Sequence, residues 1–218
     1  MNTREFYRDK LQHHPDSPRD QVGWSQYGAL VRYELTARLL SKDAQVLDVG
    51  CGPGGFLHYC LERGLQINYR GIDLLPEFVT ACGAVAGSDR VAVCDLFGEL
   101  PSTWPRGYDW VVGLGIFCTM PDQDAILAAL ERMYDLCDRA VVASILHCDS
   151  HRHTPGLTYV EPYSLLRAVR RITPLVTAQF GYCDQDLFLV LFKDPLAMLK
   201  QLDLATLYCS ADHPPLQP

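Results

Sequence analysis

An α/β fold with a doubly wound, mostly parallel sheet is predicted for this chain, and three observations predict it. Short β-branched or apolar runs alternate with stretches of helical apolar spacing over most of the sequence. The first such run, Val46-Leu47-Asp48-Val49, leads directly into Gly50-Cys51-Gly52-Pro53-Gly54, and Phe56, Leu57, Cys60 and Leu61 follow at helical spacing. A strand, a glycine turn and a helix N-terminus in that order make a ligand cradle where they open a βαβ unit, because glycine admits positive φ and lets the backbone approach a ligand. The last two apolar runs are joined by a turn at Cys183 to Asp186, too short for a crossover helix and suited to antiparallel pairing.

The elements follow in order. Residues 1–22 are polar and carry His13, His14, Pro15 and Pro18, which predicts an irregular arm or short lid. A helix starts near Trp24, with Tyr27, Leu30, Val31, Leu35 and Leu39 on one face, and ends before Asp43. Strand one is 45–50, the next helix 55–63 with Gly64 as terminator, and strand two 68–73. Pro76 sits in a first helical turn, strand three is 90–94, and strand four is Tyr108 to Leu114. Pro121 and Asp122 start a helix with Ile126, Leu127, Leu130, Met133, Tyr134 and Cys137 as apolar positions, followed by strand five at Ala140 to Leu146. Pro162 opens another helix, Leu175 to Tyr182 and Leu187 to Phe192 close the sheet, and Leu196 to Tyr208 is a final helix before a frayed tail at Pro214 and Pro215. The expected organisation is one domain: an arm and leading helix over 1–42, a core over 43–195, and a closing helix and tail over 196–218.

Composition narrows the function. A chain of 218 residues with 48% hydrophobic and 21% charged content supports one full core. Lys plus Arg number 19 against 26 for Asp plus Glu, a net charge of −7, so a nucleic-acid partner is disfavoured. Arg167, Arg170 and Arg171 read as the solvated side of a helix. Nine cysteines without a Cys-x-x-Cys pair read as free thiols. With no signal-like run and no apolar stretch near twenty residues, the expectation is a reduced, cytoplasmic protein off the membrane.

The cradle discriminates between nucleotides. Its spacing is Gly-x-Gly-x-Gly rather than Gly-x-Gly-x-x-Gly, and Asp48, just ahead of it, would repel a pyrophosphate and suit a cationic ligand. Val46 to Gly54 resembles the first motif of the class I S-adenosylmethionine-dependent methyltransferases, and the resemblance extends over roughly residues 20 to 195. It implies a Rossmann-like seven-stranded sheet with an antiparallel last strand and helices on both faces, S-adenosyl-L-methionine as cofactor and S-adenosyl-L-homocysteine as product. In that family the turn, here Asp48, Gly50, Cys51, Gly52 and Gly54, cradles the amino-acid half of the cofactor. The acid ending strand two, here Asp73 beside Leu74, binds the ribose, and Asp95, with Leu96 and Phe97 as apolar cover, lies by the adenine. Trp24 and Arg32 with Tyr33 resemble Trp and Arg-aromatic positions ahead of the motif in some members, where an Arg pairs with the cofactor carboxylate. The alternative reading makes Arg32 an exposed helix charge and Trp24 a core anchor.

The acceptor side is less defined. Gly113, Leu114 and Gly115 end strand four and suggest close backbone approach to the methionine portion, and Phe117 is a candidate wall of the acceptor pocket or else packing for the next helix. The Asn/Asp-Pro-Pro-Tyr/Phe signature of nucleobase-amine methylation is absent from this loop. The loop after strand five, His147-Cys148-Asp149-Ser150-His151-Arg152-His153, is the densest titratable cluster. It offers His147 as a general base, Cys148, His151 and His153 as metal ligands, or a polar surface loop without chemistry; no metal is assigned. Tyr7, His13, His14 and His151 are candidate acceptor contacts. The expected function is methyl transfer to a small molecule in secondary or specialised metabolism, at an O-, N-, S- or C-nucleophile. The rivals are an NAD-dependent oxidoreductase and a non-catalytic partner with the same fold.

Overall fold

A computed structural model describes residues 3–14, 17, 21–183 and 185–201. In chain order the elements are α1 (Thr3–His13), α2 (Gln26–Ala37), β1 (Gln45–Val49), α3 (Gly55–Glu62), β2 (Asn68–Asp73), α4 (Pro76–Ala86), β3 (Val91–Val93), β4 (Tyr108–Leu114), α5 (Gln123–Leu136), β5 (Cys137–Leu146), α6 (Pro162–Val169), β6 (Val176–Gln179), β7 (Asp186–Phe192) and α7 (Pro195–Gln201). The seven strands form one sheet in the order β3-β2-β1-β4-β5-β7-β6, with β7 antiparallel to both neighbours and the pairs from β3 through β5 parallel.

The two faces of the sheet follow the period-two alternation of its strands. Leu47, Val111, Val141 and Leu189 pack against Ile126, Leu130 and Met133 of α5 and Leu165 of α6. Val46, Val112, Val142 and Val190 face the other way, toward Phe56 and Cys60 of α3, with Val31 and Leu35 of α2 packed behind. The strand order reverses between β1 and β4, so the crevice beyond their C-terminal ends is the place this architecture offers a ligand.

The structure corrects several element boundaries. Thr3–His13 is a helix rather than an irregular arm: Glu5 in its first turn and Lys10 and His13 in its last suit the helix dipole, and it docks through Thr3 Oγ1 on Thr119 Oγ1 at 2.9 Å. The prolines that suggested irregularity, Pro15 and Pro18, lie outside the described residues. Cys137 begins β5 instead of ending α5, since its backbone is already extended (φ −94°, ψ 153°). Strand β6 covers only Val176–Gln179 because the chain leaves the sheet before Phe180. Beyond Gln201 the expected final helix and its proline tail lie outside the described residues. No helix of the described residues is long and apolar enough to cross a membrane.

Candidate active site

At the end of β1 the chain turns sharply, and the backbone N–H groups of Gly50 and Cys51 both donate to Ile72 O, at 2.8 and 3.0 Å. Gly50 has φ +70°, and a Cβ there would lie 2.2 Å from Ile116 Cγ2, so only glycine lets the turn and the loop after β4 meet. Asp73, closing β2, fixes the turn from the side: its carboxylate accepts from Gly52 N at 2.9 Å and from Leu75 N at 3.0 Å. Burial raises the Asp73 pKa, and these backbone donors oppose the rise.

Asp48 is buried beneath the turn and accepts from the Tyr69 hydroxyl at 2.8 Å. Loss of solvent pushes its carboxyl up to about 7; the Tyr69 hydrogen bond holds the rise back and the neighbouring Asp73 adds to it. Asp95 is exposed after β3 and accepts from Phe97 N at 3.0 Å.

These groups border a cavity of about 480 Å³. Of the residues expected to hold a cofactor, Asp48, Gly50, Cys51, Gly52, Asp73, Leu74, Asp95, Leu96, Phe97, Leu114 and Trp24 all line it. Three do not. Gly54 caps α3 in the left-handed region and faces Cys82 of α4, so its lack of a side chain serves helix packing. Gly113 faces inward, where a Cβ would meet Met133 Cε at 2.9 Å. Arg32 turns from this cavity to a second one and pairs there with Asp186, its guanidinium carbon 4.6 Å from the Trp24 ring centroid.

The second cavity, about 690 Å³, adjoins the first, and Tyr7, Val22, Trp24 and Gly115 line both. Tyr7 sits on this boundary with its hydroxyl directed at Gly115 O (3.4 Å) and near Cys118 Sγ (3.8 Å), its ring edge-on to Phe78 with centroids 6.2 Å apart. Burial, and then Cys118, hold the Tyr7 hydroxyl well above its usual range. Gly115 (φ +74°) is where β4 passes under Trp24; a Cβ would lie 2.5 Å from the indole. Ser144 Oγ accepts from Gly115 N at 2.9 Å and Leu146 lines the second cavity, so this face of β5 looks into it.

Two acceptor-side candidates lie outside the cavities, the first of them because of that alternation. His147 has the opposite parity to Ser144 and Leu146: it is buried, its backbone N donates to Gln185 O, its ring lies edge-on to Phe180, and its Nδ1 has no hydrogen-bond partner. It lines neither cavity, which removes it as a base in direct reach of either. Phe117 is fully buried in the core beside α5 and likewise lines neither. His151 does line the second cavity. His13 and His14 are exposed, and neither reaches a cavity. His153 stacks on Tyr159, centroids 4.3 Å apart, and its Nε2 lies 3.1 Å from Cys148 O; among the described residues no three ligand-type side chains gather for a metal.

Sequence reasoning missed Ile116, Phe78 and Asp186. The first two are apolar residues without a motif, and the third reaches the site because antiparallel pairing sets Asp186 opposite Leu146.

The glycine turn falls within a stretch that resembles known proteins. Residues 47–139 match the family model described as a methyltransferase domain. A 36-residue segment is 56% identical to the ribosomal RNA large subunit methyltransferase E of Caulobacter vibrioides, spanning 16% of this chain and 16% of that protein. Among solved structures, magnesium protoporphyrin IX methyltransferase from Synechocystis PCC 6803, with bound S-adenosylmethionine, superposes with TM-score 0.57 at 15% identity, covering 89% of this chain and 98% of that one. A TehB-like methyltransferase from Corynebacterium glutamicum gives TM-score 0.57 at 19% identity over 86% and 96%. A methyltransferase from Archaeoglobus fulgidus gives 0.60 at 16% over 86% and 100%. At these identities the structural likeness establishes the fold, and the domain match sets the NAD-dependent oxidoreductase aside.

Proposed function

We propose, from the class I S-adenosylmethionine-dependent methyltransferase domain that this chain carries, that it methylates a small molecule seated in the second cavity. The observation that carries this reading is the meeting of two cavities at Tyr7, Trp24 and Gly115. One is sized and lined for a nucleoside with a cationic centre; the other, adjoining it, offers room for an acceptor. The cofactor supplies a methyl group on a sulfonium, already activated for in-line displacement.

The side chains supply alignment and dryness. Asp73, Asp95 and the glycine turn line the first cavity, and in this reading the two acids accept from hydroxyl and amino groups of the nucleoside while the turn's backbone meets the amino-acid portion. Tyr7 and Trp24 close the junction, with α1 and α2 serving as a cap on the same domain. Where the acceptor must lose a proton, His151, the imidazole that lines the second cavity, takes it. The net charge of −7 weighs against RNA as acceptor, whatever the named activity of the Caulobacter protein.

Thermal shift and labelled-methyl transfer test the proposal. S-adenosylhomocysteine should raise the melting temperature while NAD does not. Asp73→Ala should weaken S-adenosylhomocysteine by at least about tenfold, since it also strands two backbone donors. Label from S-adenosylmethionine should appear in the small-molecule fraction of a cell extract. Transfer into the RNA fraction alone, or stabilisation by NAD alone, would sink it.

A further inference from the structure

The two adjoining cavities carry opposite charge. Among the described residues, the glycine-turn cavity is lined by Asp48, Glu62, Asp73 and Asp95 against the single guanidinium of Arg4. Among the described residues, the second is lined by Lys10, Arg32 and Arg152 against Asp186. In a chain of net charge −7, an excess of cations among a cavity's described lining residues runs against the average of the molecule.

That excess is placed rather than incidental. Arg32 and Asp186 are paired to each other, with side chains only 8% and 2% exposed, so their charges offset each other. A buried ion pair of this kind costs desolvation that packing alone does not require. The other two cationic residues that line this cavity, Lys10 and Arg152, have no carboxylate partner among the described residues. Lys10 is held by α1, with Nζ 5.1 Å from the centroid of the Phe6 ring. Arg152 is held by its backbone: its N donates to Ser150 Oγ at 3.1 Å, and its O accepts from Gln185 Nε2 at 2.9 Å. Phe6, Trp24, Leu146 and Leu157 give the same cavity apolar walls.

We infer that the acceptor is a carboxylate-bearing small molecule with an apolar, ring-sized body, its carboxylate set between Lys10 and Arg152 and its nucleophilic atom directed to the junction at Tyr7 and Gly115. The inference rests on the methyl-transfer reading and adds to it the charge of the substrate. It also accounts for the opposed charges: a cationic donor and an anionic acceptor are each drawn to their own side, and the wrong occupant is repelled from both.

A matched pair of probes tests this. The full chain, saturated with S-adenosylhomocysteine, is titrated by calorimetry with 2-naphthoate and with 2-naphthamide, which share a ring and differ in charge. The carboxylate should bind at least about tenfold more tightly, the worth of one charge-assisted hydrogen bond. The Lys10→Gln, Arg152→Gln double variant, verified as folded by its melting curve, should bind the two probes equally. Equal affinity in the wild type, binding of neither probe, or a preference that survives the double substitution overturns the inference. Failure of S-adenosylhomocysteine to bind in the first step instead removes the methyl-transfer reading on which it rests, so the two failures are distinguishable.

Discussion

The two cavities meet at one tyrosine yet are assembled in different ways. The glycine-turn cavity is tied together over short stretches of chain: Gly52 and Asp73, 21 residues apart, bond directly, and Leu75 returns to Asp73 from two residues away. The second gathers Lys10, Arg32, Arg152 and Asp186 from four separate elements or loops, and its junction bond joins Tyr7 to Gly115 across 108 residues. Their electrostatics differ as well. Asp48 is buried with a tyrosine hydroxyl and no cation, whereas Asp186 is buried with Arg32 against it. One cavity leaves negative charge unmatched, the other positive.

The largest test of this contrast is Gly50→Ala. A left-handed backbone costs a residue with Cβ roughly 1–2 kcal/mol, and here the new methyl would also displace Ile116, which lines the same cavity. We expect S-adenosylhomocysteine affinity to fall by about a hundredfold, equivalent to ~2.7 kcal/mol, with a lower melting temperature. Wild-type affinity by calorimetry would show that the turn is not where the cofactor sits.

The same contrast explains what could be read from the sequence. That Asp48, Gly50, Gly52, Asp73 and Asp95 gather at one cavity was legible because a strand, a turn and a strand end fix them within local reach. The sheet was legible for a related reason, since buried parallel strands leave unbroken apolar runs. Across the junction, local signals misled. Phe117 follows strand four in sequence yet turns into the core, and His147 follows strand five yet has the wrong parity to face the cavity. Helix α1 was hidden by its own polarity: with no fully buried residue, it holds its place through Tyr7, Phe6 and Thr3 rather than through an apolar stripe.

A second test concerns the unmatched acid. Burial raises Asp48 to about 7 from an unfolded value near ~3.9, so between these pH values the folded state holds more protons than the unfolded state. Stability therefore falls as pH rises from about 4 to about 7, by a few kcal/mol at most. Asp73 and Asp186 shift in the same direction, so the wild-type slope is a sum. Asp48→Asn keeps an acceptor for Tyr69 and removes the titration. Urea melts at pH 5 and pH 8 should show a smaller difference for the variant than for the wild type; equal differences would mean that Asp48 is charged at no cost.

The smallest expected effect lies on the boundary itself. The Tyr7 hydroxyl bond to Gly115 O is long at 3.4 Å, while the ring packs on Phe6 and Phe78 with centroids 5.0 and 6.2 Å away. If the ring is what divides the cavities, Tyr7→Phe should change S-adenosylhomocysteine affinity by less than about twofold and stability by under ~1 kcal/mol. Tyr7→Ala, which removes the ring and opens one cavity into the other, should cost about 2 kcal/mol of stability, less than a fully buried aromatic because the residue is half-buried. Calorimetry and urea melts read both variants. An equal loss in the two would assign the boundary to the hydroxyl and its contact with Gly115, and would make the separation of the two cavities a matter of one hydrogen bond rather than of packing.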